Sequence, residues 1–283
     1  MRGLQTPVRA IRRQVFTEVA KLGFKANAET LVADMEAIPY EIVGEDSEVK
    51  YRESIYRARA VVRERLRLAM GLSLRPENKP VHLTAGVEAS NISEKYYEPP
   101  LMQVIPSGCE SCEENKYEVS NMCKGCLAHP CQEVCPRGAI SMVNGKSFID
   151  QDKCIKCGKC KSVCPYDAIA KKERPCKKAC GVNAITSDKL GRAYIDADKC
   201  VSCGMCMVSC PFGAISDKSQ IFQLAHALRN GDKIVAIVAP AYICQFGDDV
   251  TPGKFKTALQ VLGFPDVHEV AFGADVGAIS EAH

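Results

Sequence analysis

Apolar residues recur at helical spacing in the first third of the chain, and as short strand-like runs broken by turn residues further on. From Tyr51 to Gly71, the positions Ile55, Ala58, Val62, Leu66 and Ala69 share one face, with arginines on the other. That pattern predicts an amphipathic helix stopped at Gly71. Two earlier helices are predicted over 8–22 and 28–37, separated by Gly23 and ended before Pro39. In the middle of the chain, Ile140 to Val143, Asn144-Gly145 and Ser147 to Ile149 read as a hairpin with a two-residue turn. Ala184 to Thr186 and Ala193 to Ile195 repeat it with a longer turn.

Beyond Asp217 the pattern changes. Ile221, Leu224, Ala225 and Leu228 mark a helix ended by Gly231, and Lys233 to Ala239 is a continuous apolar strand. Thr251-Pro252 opens a helix that runs to Gly263, and Val267 to Phe272 is a second strand. Together these make one βαβ unit, whose parallel strands need helices on both faces and further strands beside them. A lone unit of this kind cannot bury itself. The segment therefore reads as the beginning of a larger domain whose remainder the sequence does not include.

Cysteine usage changes the picture most. Of seventeen cysteines in 283 residues, sixteen lie between Cys109 and Cys210. A disulfide scaffold is expected in a short secreted chain, and this chain is long enough for about two domains. Arg12-Arg13 is followed by Glu18, Lys21 and Lys25 rather than by an apolar stretch, so no export signal is read there. No run approaches the roughly 20 apolar residues of a membrane span. The thiols are expected in a reducing, oxygen-poor cytoplasm.

Their spacing is that of iron–sulfur ligands. Cys154, Cys157, Cys160, Cys164-Pro165 and Cys200, Cys203, Cys206, Cys210-Pro211 both read C-x2-C-x2-C-x3-C-P. In that run three thiolates hold one cluster and the fourth ligates the other cluster of a pair. A stretched version is Cys123, Cys126, Cys131, Cys135-Pro136. The crossing rule assigns Cys123, Cys126, Cys131 and Cys164 to one 4Fe–4S cluster, and Cys154, Cys157, Cys160 and Cys135 to a second. In the second half, Cys176-x3-Cys180 reads as a degraded module that keeps two of four positions, with Gly181 in place of proline. A third cluster then takes Cys200, Cys203, Cys206 and Cys180. A fourth takes Cys210 and Cys176 with the remaining pair, Cys109 and Cys112, giving four clusters in all. A competing reading places zinc between Cys109-x2-Cys112 and Cys123-x2-Cys126. His129 is read as a group that tunes a cluster or simply packs beside it, and Cys244 as a buried free thiol.

Charge adds a question. The apo chain carries +3, and four clusters at roughly −2 each would bring it to about −5. Residues 152–180 hold nine Lys/Arg against three acids. Either they compensate cluster charge or they form a landing patch for an acidic redox partner protein such as a ferredoxin. No recognition helix or aromatic-interleaved basic motif accompanies them, so nucleic acid is not an expected partner.

The expected fold class is α+β in three parts. Residues 1–105 form a helical cap or docking region, and 106–216 tandem bacterial-ferredoxin-like 4Fe–4S modules. Residues 217–283 hold the incomplete βαβ unit. That last part resembles the opening of the catalytic domain of iron-only (FeFe) hydrogenases. The residues that carry the likeness are Ile237-Val238-Ala239-Pro240-Ala241, Gly253-Lys254, Ala258-Leu259, Leu262-Gly263-Phe264, Val267 to Val270 and Phe272-Gly273-Ala274-Asp275. The resemblance implies a relay of electrons through the clusters to an H-cluster active site, which reduces protons or oxidises hydrogen. In that family the H-cluster is held by later cysteine motifs, one of them Thr-Ser-Cys-Cys-Pro, and none occurs before His283. No catalytic residue is therefore assigned, and the H-cluster is expected only in a full-length protein. The alternative is a stand-alone polyferredoxin, or an electron-transfer subunit of another anaerobic oxidoreductase.

Overall fold

The computed structural model describes residues 5–25, 27, 29–45, 52–90 and 100–282. The chain forms two compact units, Pro99–Asp217 and Gln5–Glu98 together with Lys218–His283. Among the described residues no helix is long and apolar enough to cross a membrane.

The second unit opens with α1 (Pro7–Lys25), α2 (Leu31–Ile42) and α3 (Ile55–Ala69). Their inward stripes are Ile11, Val15, Val19 and Leu22 on α1, Met35 and Ile38 on α2, and Ala58, Val62, Leu66 and Ala69 on α3, all buried in one core. The α3 stripe is the one expected from spacing; the expected starts at Tyr51 and at residue 28 lie outside the described residues. Two punctuation marks read as breaks are not breaks. Gly23 lies inside α1, and Pro39 is buried inside α2. Arg67 of α3 is buried and donates to the carbonyls of Ser73, Leu83 and Ala85, pinning the segment that follows the helix.

The other unit begins before residue 106, with β1 (Met102–Val104) and β2 (Lys116–Val119). It continues with α4 (Pro130–Glu133), β3 (Ile140–Val143), β4 (Lys146–Ile149), α5 (Lys159–Val163) and β5 (Ile169–Lys172). Then come α6 (Pro175–Lys178), β6 (Ile185–Ser187), β7 (Ala193–Ile195), α7 (Met205–Ser209) and β8 (Ile215–Asp217). All four sheets here are antiparallel pairs: β3 with β4, β6 with β7, β2 with β5 and β1 with β8. Asn144 and Gly145 both have positive φ (50° and 73°), the primed turn their sequence predicts.

Those pairings reveal one plan used twice. β2 leads into Cys123, the β3–β4 hairpin lies in the middle, and β5 returns to pair with β2. Likewise β1 leads into Cys109, β6–β7 lies in the middle, and β8 returns to pair with β1. The first copy sits wholly inside the second, between Cys112 and Arg174. Three- and four-residue strands paired over such distances leave little local signature, which is why the residue pattern does not predict β1 and β2.

The second unit resumes with α8 (Ile221–Asn230), β9 (Val235–Val238), α9 (Pro252–Val261), β10 (Asp266–Glu269) and α10 (Val270–Ala282). Sequence pattern groups α8 with the βαβ segment, yet it packs on α1 and completes its core with Phe222. A Cβ on Gly23 would stand 2.5 Å from the Ala225 Cβ, so glycine is what lets α1 and α8 touch. The end of α3 is capped from this side as well. Ser219 N–H donates to the Leu68 carbonyl, the Ser219 hydroxyl to Ala69 and Gln223 Nε2 to Met70, satisfying carbonyls that a helix end leaves bare.

β9 and β10 pair in parallel around α9, with Thr251 Oγ1 accepting from Lys254 N–H as the cap. The second strand is shorter than the expected Val267 to Phe272, because α10 takes over at Val270. Phe264 and Val267 are buried, but Ile237, Val261, Phe272 and Ile279 are 72%, 82%, 70% and 63% exposed, so much apolar surface of this βαβ unit is left uncovered. Cys244, expected to be buried, lies on this uncovered segment and is exposed.

Candidate metal centres

Each C-x2-C pair sits on the same backbone turn. The residue before the second cysteine is left-handed in all four: Ser111 (φ 46°), Gly125 (59°), Lys156 (58°) and Ser202 (55°). At Gly125 a Cβ would run into the Gly145 carbonyl, so the hairpin turn rests directly on this loop. The third cysteine of each set is the second residue of a short helix: Cys131 in α4, Cys160 in α5, Cys176 in α6 and Cys206 in α7. All four are buried.

The fourth position repeats as closely. Cys135, Cys164, Cys180 and Cys210 are each followed, three residues on, by a left-handed residue: Gly138, Asp167, Asn183 and Gly213. These residue types adopt positive φ most readily. One residue further, the amides of Ala139, Ala168, Ala184 and Ala214 donate back to the cysteine Sγ at 3.3–3.4 Å. Cys176 and Cys180 therefore do not belong to a degraded module. Their first two positions are Cys109 and Cys112, separated from them by the inserted copy. Gly181 replaces the usual proline without disturbing this turn.

Two small hollows, each about 20 Å³, are lined by cysteines of more than one run. One is lined by Cys123, Cys126, Cys131 and Cys164, with Val119, Ser147, Pro165 and Ile169 around them. The other is lined by Cys109, Cys112, Cys176 and Cys210, with Val104, Ala193, Pro211 and Ile215 in the corresponding places. Cys135, Cys154 and Cys160 lie in one apolar cluster together with Cys131 and Cys164, and Cys180, Cys200 and Cys206 in another together with Cys109, Cys176 and Cys210. Among the described residues no three Cys, His, Asp or Glu side chains converge on a single ion. The two pairs of the zinc reading, Cys109/Cys112 and Cys123/Cys126, open into different hollows. Four thiols spread around a hollow fit a cuboidal cluster, in which each iron takes one thiolate.

The thiols feel one another. Burial pushes Cys176 up to about 12, with Cys210 and Cys109 adding to the rise and Arg174 opposing it. Burial likewise raises Cys112, helped by Cys109 and Cys210. Cys206 rises to about 11 through burial, with Cys200 and Cys203 contributing. Burial also raises Cys160, with Cys154 and Cys157 contributing. Cys123 moves the other way, because the Ser147 amide donates to its sulfur at 3.5 Å.

Two side chains escape sequence reasoning. The Ser147 hydroxyl lies 3.3 Å from Cys131 Sγ. Its counterpart in the other copy is Ala193, whose amide reaches Cys109 Sγ at 3.4 Å but which has no hydroxyl to add. Arg174, which the sequence shows only as part of a basic run, is 4% exposed. Its guanidinium donates to the carbonyls of Cys112, Gly191 and Thr186 and to Ser187 Oγ, and pairs with Glu114 at 3.0 Å. Burial alone would lift the Glu114 carboxyl. Hydrogen bonds from Lys177 and Ser187 and the charge of Arg174 outweigh it and hold that carboxyl below its usual range. The residue in Arg174's place in the inner copy is His129, left-handed (φ 42°) at the start of α4 and half-buried.

Comparison with known proteins bears on two of these runs and on the C-terminal segment. Residues 148–170 and 193–216 match the 4Fe-4S binding domain family. Residues 232–283 match the family described as iron only hydrogenase large subunit, C-terminal domain. An uncharacterized ferredoxin of Methanocaldococcus jannaschii is 32% identical over 99 residues, 28% of this chain and 63% of that protein. A probable iron-sulfur subunit from the Frd operon of Proteus vulgaris is 39% identical over 69 residues, 24% of this chain and 44% of its own. Electron transport protein HydN of Escherichia coli is 41% identical over 56 residues, 20% of this chain and 32% of HydN. The chain thus spans less than two thirds of the length of each of these curated relatives. Together they support an iron–sulfur electron-transfer role.

Proposed function

We propose that this chain is the electron-relay portion of an iron-only hydrogenase, serving an active site that the chain does not itself contain. The observation that carries the reading is the conjunction of four repeated cysteine sets with a βαβ segment that matches the hydrogenase family. The proposed ligand sets are Cys123, Cys126, Cys131 and Cys164; Cys154, Cys157, Cys160 and Cys135; Cys200, Cys203, Cys206 and Cys180; and Cys109, Cys112, Cys176 and Cys210. When bound, 4Fe–4S clusters supply one-electron transfer with no bond made or broken.

The chain's own residues do the rest. Buried thiols such as Cys176 give up their protons on binding metal, so loading is coupled to proton release. Amide donors to Cys135, Cys164, Cys180 and Cys210 stabilise negative charge on sulfur, as does the Ser147 amide at Cys123. Crossed ligation ties the clusters of each pair to one small fold, which favours electron hopping between them. The uncovered apolar faces of β9, α9 and α10 suit burial beneath further strands and helices of a catalytic domain.

A second reading, an electron-transfer subunit of another oxidoreductase, draws on the ferredoxin and electron-transport names of the curated relatives. Anaerobic reconstitution followed by iron, zinc and sulfide analysis tests what the two share, with about sixteen irons per chain expected. Zinc at about one per chain, with iron well below that figure, would sink the four-cluster assignment. Given reduced viologen, the chain alone is expected to evolve no hydrogen, and robust evolution would refute the absence of the active site. A gene whose reading frame continues into further cysteine motifs favours hydrogenase; a stop codon after His283 favours the subunit.

A further inference from the structure

Of the nine basic residues in 152–180, six are ion-paired with neighbouring carboxylates. Lys153 pairs with Asp150, for example, and Lys178 with Glu173. The other three, Lys156, Lys159 and Lys161, are exposed and make no ion pair among the described residues. They share one short stretch. Lys156 is the left-handed residue of the Cys154–Cys157 turn, and Lys159 and Lys161 lie on α5. Between them stands Cys157, itself exposed.

The second copy of the fold provides an internal control. Its turn from Cys200 to Cys206 has the same backbone, left-handed at Ser202 and Gly204 and continuing into α7. Lys199 pairs with Asp196 there as Lys153 pairs with Asp150. Where the first copy has Lys156, Lys159 and Lys161, however, this one has Ser202, Met205 and Met207. Clusters of equal charge in the two turns would call for equal compensation. The three lysines are therefore not explained by the cluster beneath them and answer to something outside the unit.

We propose that this turn and α5 form the docking site of an acidic one-electron carrier protein of the ferredoxin kind. Lys156, Lys159 and Lys161 steer it, and Cys157 marks the point of closest approach. The proposal rests on the electron-transfer reading above and gives the relay its outer terminus. One electron would pass from the reduced carrier to the 4Fe–4S cluster that Cys135, Cys154, Cys157 and Cys160 would hold. The carrier is oxidised by one electron and that centre is reduced by one, with no proton or covalent bond exchanged. Steering by opposite charge raises the association rate, and salt screens it.

The test uses the full chain, reconstituted anaerobically, with a reduced acidic two-cluster bacterial ferredoxin as probe. Stopped-flow rates are measured across ionic strength, and binding of the oxidised ferredoxin by calorimetry. Lys156→Glu/Lys159→Glu/Lys161→Glu is expected to lower the second-order rate at low salt by roughly tenfold or more and to flatten its salt dependence. The milder Lys→Gln triple is expected to fall between it and the wild type. Val201→Glu with Tyr194→Glu, on the exposed surface of the other copy, is expected to leave the rate within about twofold. An unchanged rate, salt slope and binding in a fully loaded Lys→Glu triple would overturn the proposal. So would an equal loss in the Val201/Tyr194 variant, or lysine-dependent binding to phosphatidylglycerol vesicles without binding to the ferredoxin. Iron and sulfide assays on the same samples separate the two levels. A chain that takes up no clusters overturns the electron-transfer reading and this proposal with it, whereas loaded variants that dock as wild type overturn only the docking site.

Discussion

Arg174 donates two hydrogen bonds, of 3.0 and 2.8 Å, to the carbonyl oxygen of Cys112, a residue 62 positions earlier in the chain. The contact ties the point where the chain leaves the outer copy of the fold to the point where it returns. It holds Cys109 and Cys112 beside Cys176, from which the intervening residues separate them in sequence.

Arg174→Ala should therefore open that set. It strips partners from the carbonyls of Cys112 and Gly191 and leaves Glu114 with Lys177 as its remaining ion-pair partner. Leaving a buried carbonyl without its donor costs about 1–3 kcal/mol. Iron content should fall by about one cluster in four, with the inner pair unaffected. Full iron loading in the variant would show that the Cys109 pair is held by other means.

Ser147 and Ala193 make a matched pair of substitutions. Ser147→Ala removes the hydroxyl beside Cys131, and Ala193→Ser adds one at the matching position of the outer copy, where Cys176 stands in place of Cys131. A hydrogen bond to cluster sulfur favours the reduced, more negative state. The first change should lower one cluster potential and the second raise another, each by some tens of millivolts if one bond is worth about 1 kcal/mol. Potentiometric titration followed by EPR reads both. No movement in either would remove Ser147 as a tuning group.

The exposed thiol gives a contrast. Cys244→Ser should leave iron, sulfide and spectra unchanged, because Cys244 lies on the uncovered turn beyond β9. Cys109→Ser should cost one cluster. Equal losses from the two would contradict the geometric sets.

Gly23→Val probes the helical unit alone. Its Cβ would stand 2.5 Å from the Ala225 Cβ and 2.8 Å from the Phe222 carbonyl, so α1 and α8 must separate. Overpacking of this kind costs about 1–3 kcal/mol. Chemical denaturation followed by far-UV circular dichroism should show that loss, while cluster content stays at the wild-type level.

Much of this is readable in the chain because it is local. The Ala58, Val62, Leu66 and Ala69 stripe, the Asn144-Gly145 turn and the Thr251-Pro252 cap each depend on residues a few positions apart. Gly23 misleads because a glycine that ends a helix and one that lets two helices touch look alike until the partner is known. α8 groups by pattern with the strands that follow it, since nothing in Ser219 or Gln223 announces that they cap α3. The nested copy is hidden for the same reason. The left-handed turn at Ser111 and the amide of Ala184 identify Cys109, Cys112 and Cys180 as members of one module, and both are properties of backbone rather than composition. One signal is present in the residues themselves: Cys135, Cys164, Cys180 and Cys210 are all followed at the fourth and fifth positions by Ala-Ile.

Nesting also sets an order of biogenesis. On the ribosome β1 and Cys109 emerge first, yet their partners, Cys176 and β8, are made only after the whole inner copy. The inner copy is contiguous from β2 to β5, so its strands can pair, and its two cysteine sets assemble, as soon as Lys172 is clear. The outer copy has to hold its first strand unpaired until Asp217 arrives, a long loop closure of the kind that slows folding. A chain halted just past Lys172 would carry the complete inner copy preceded by two idle thiols, Cys109 and Cys112. Maturation of the outer pair is thus a late, separately interruptible event.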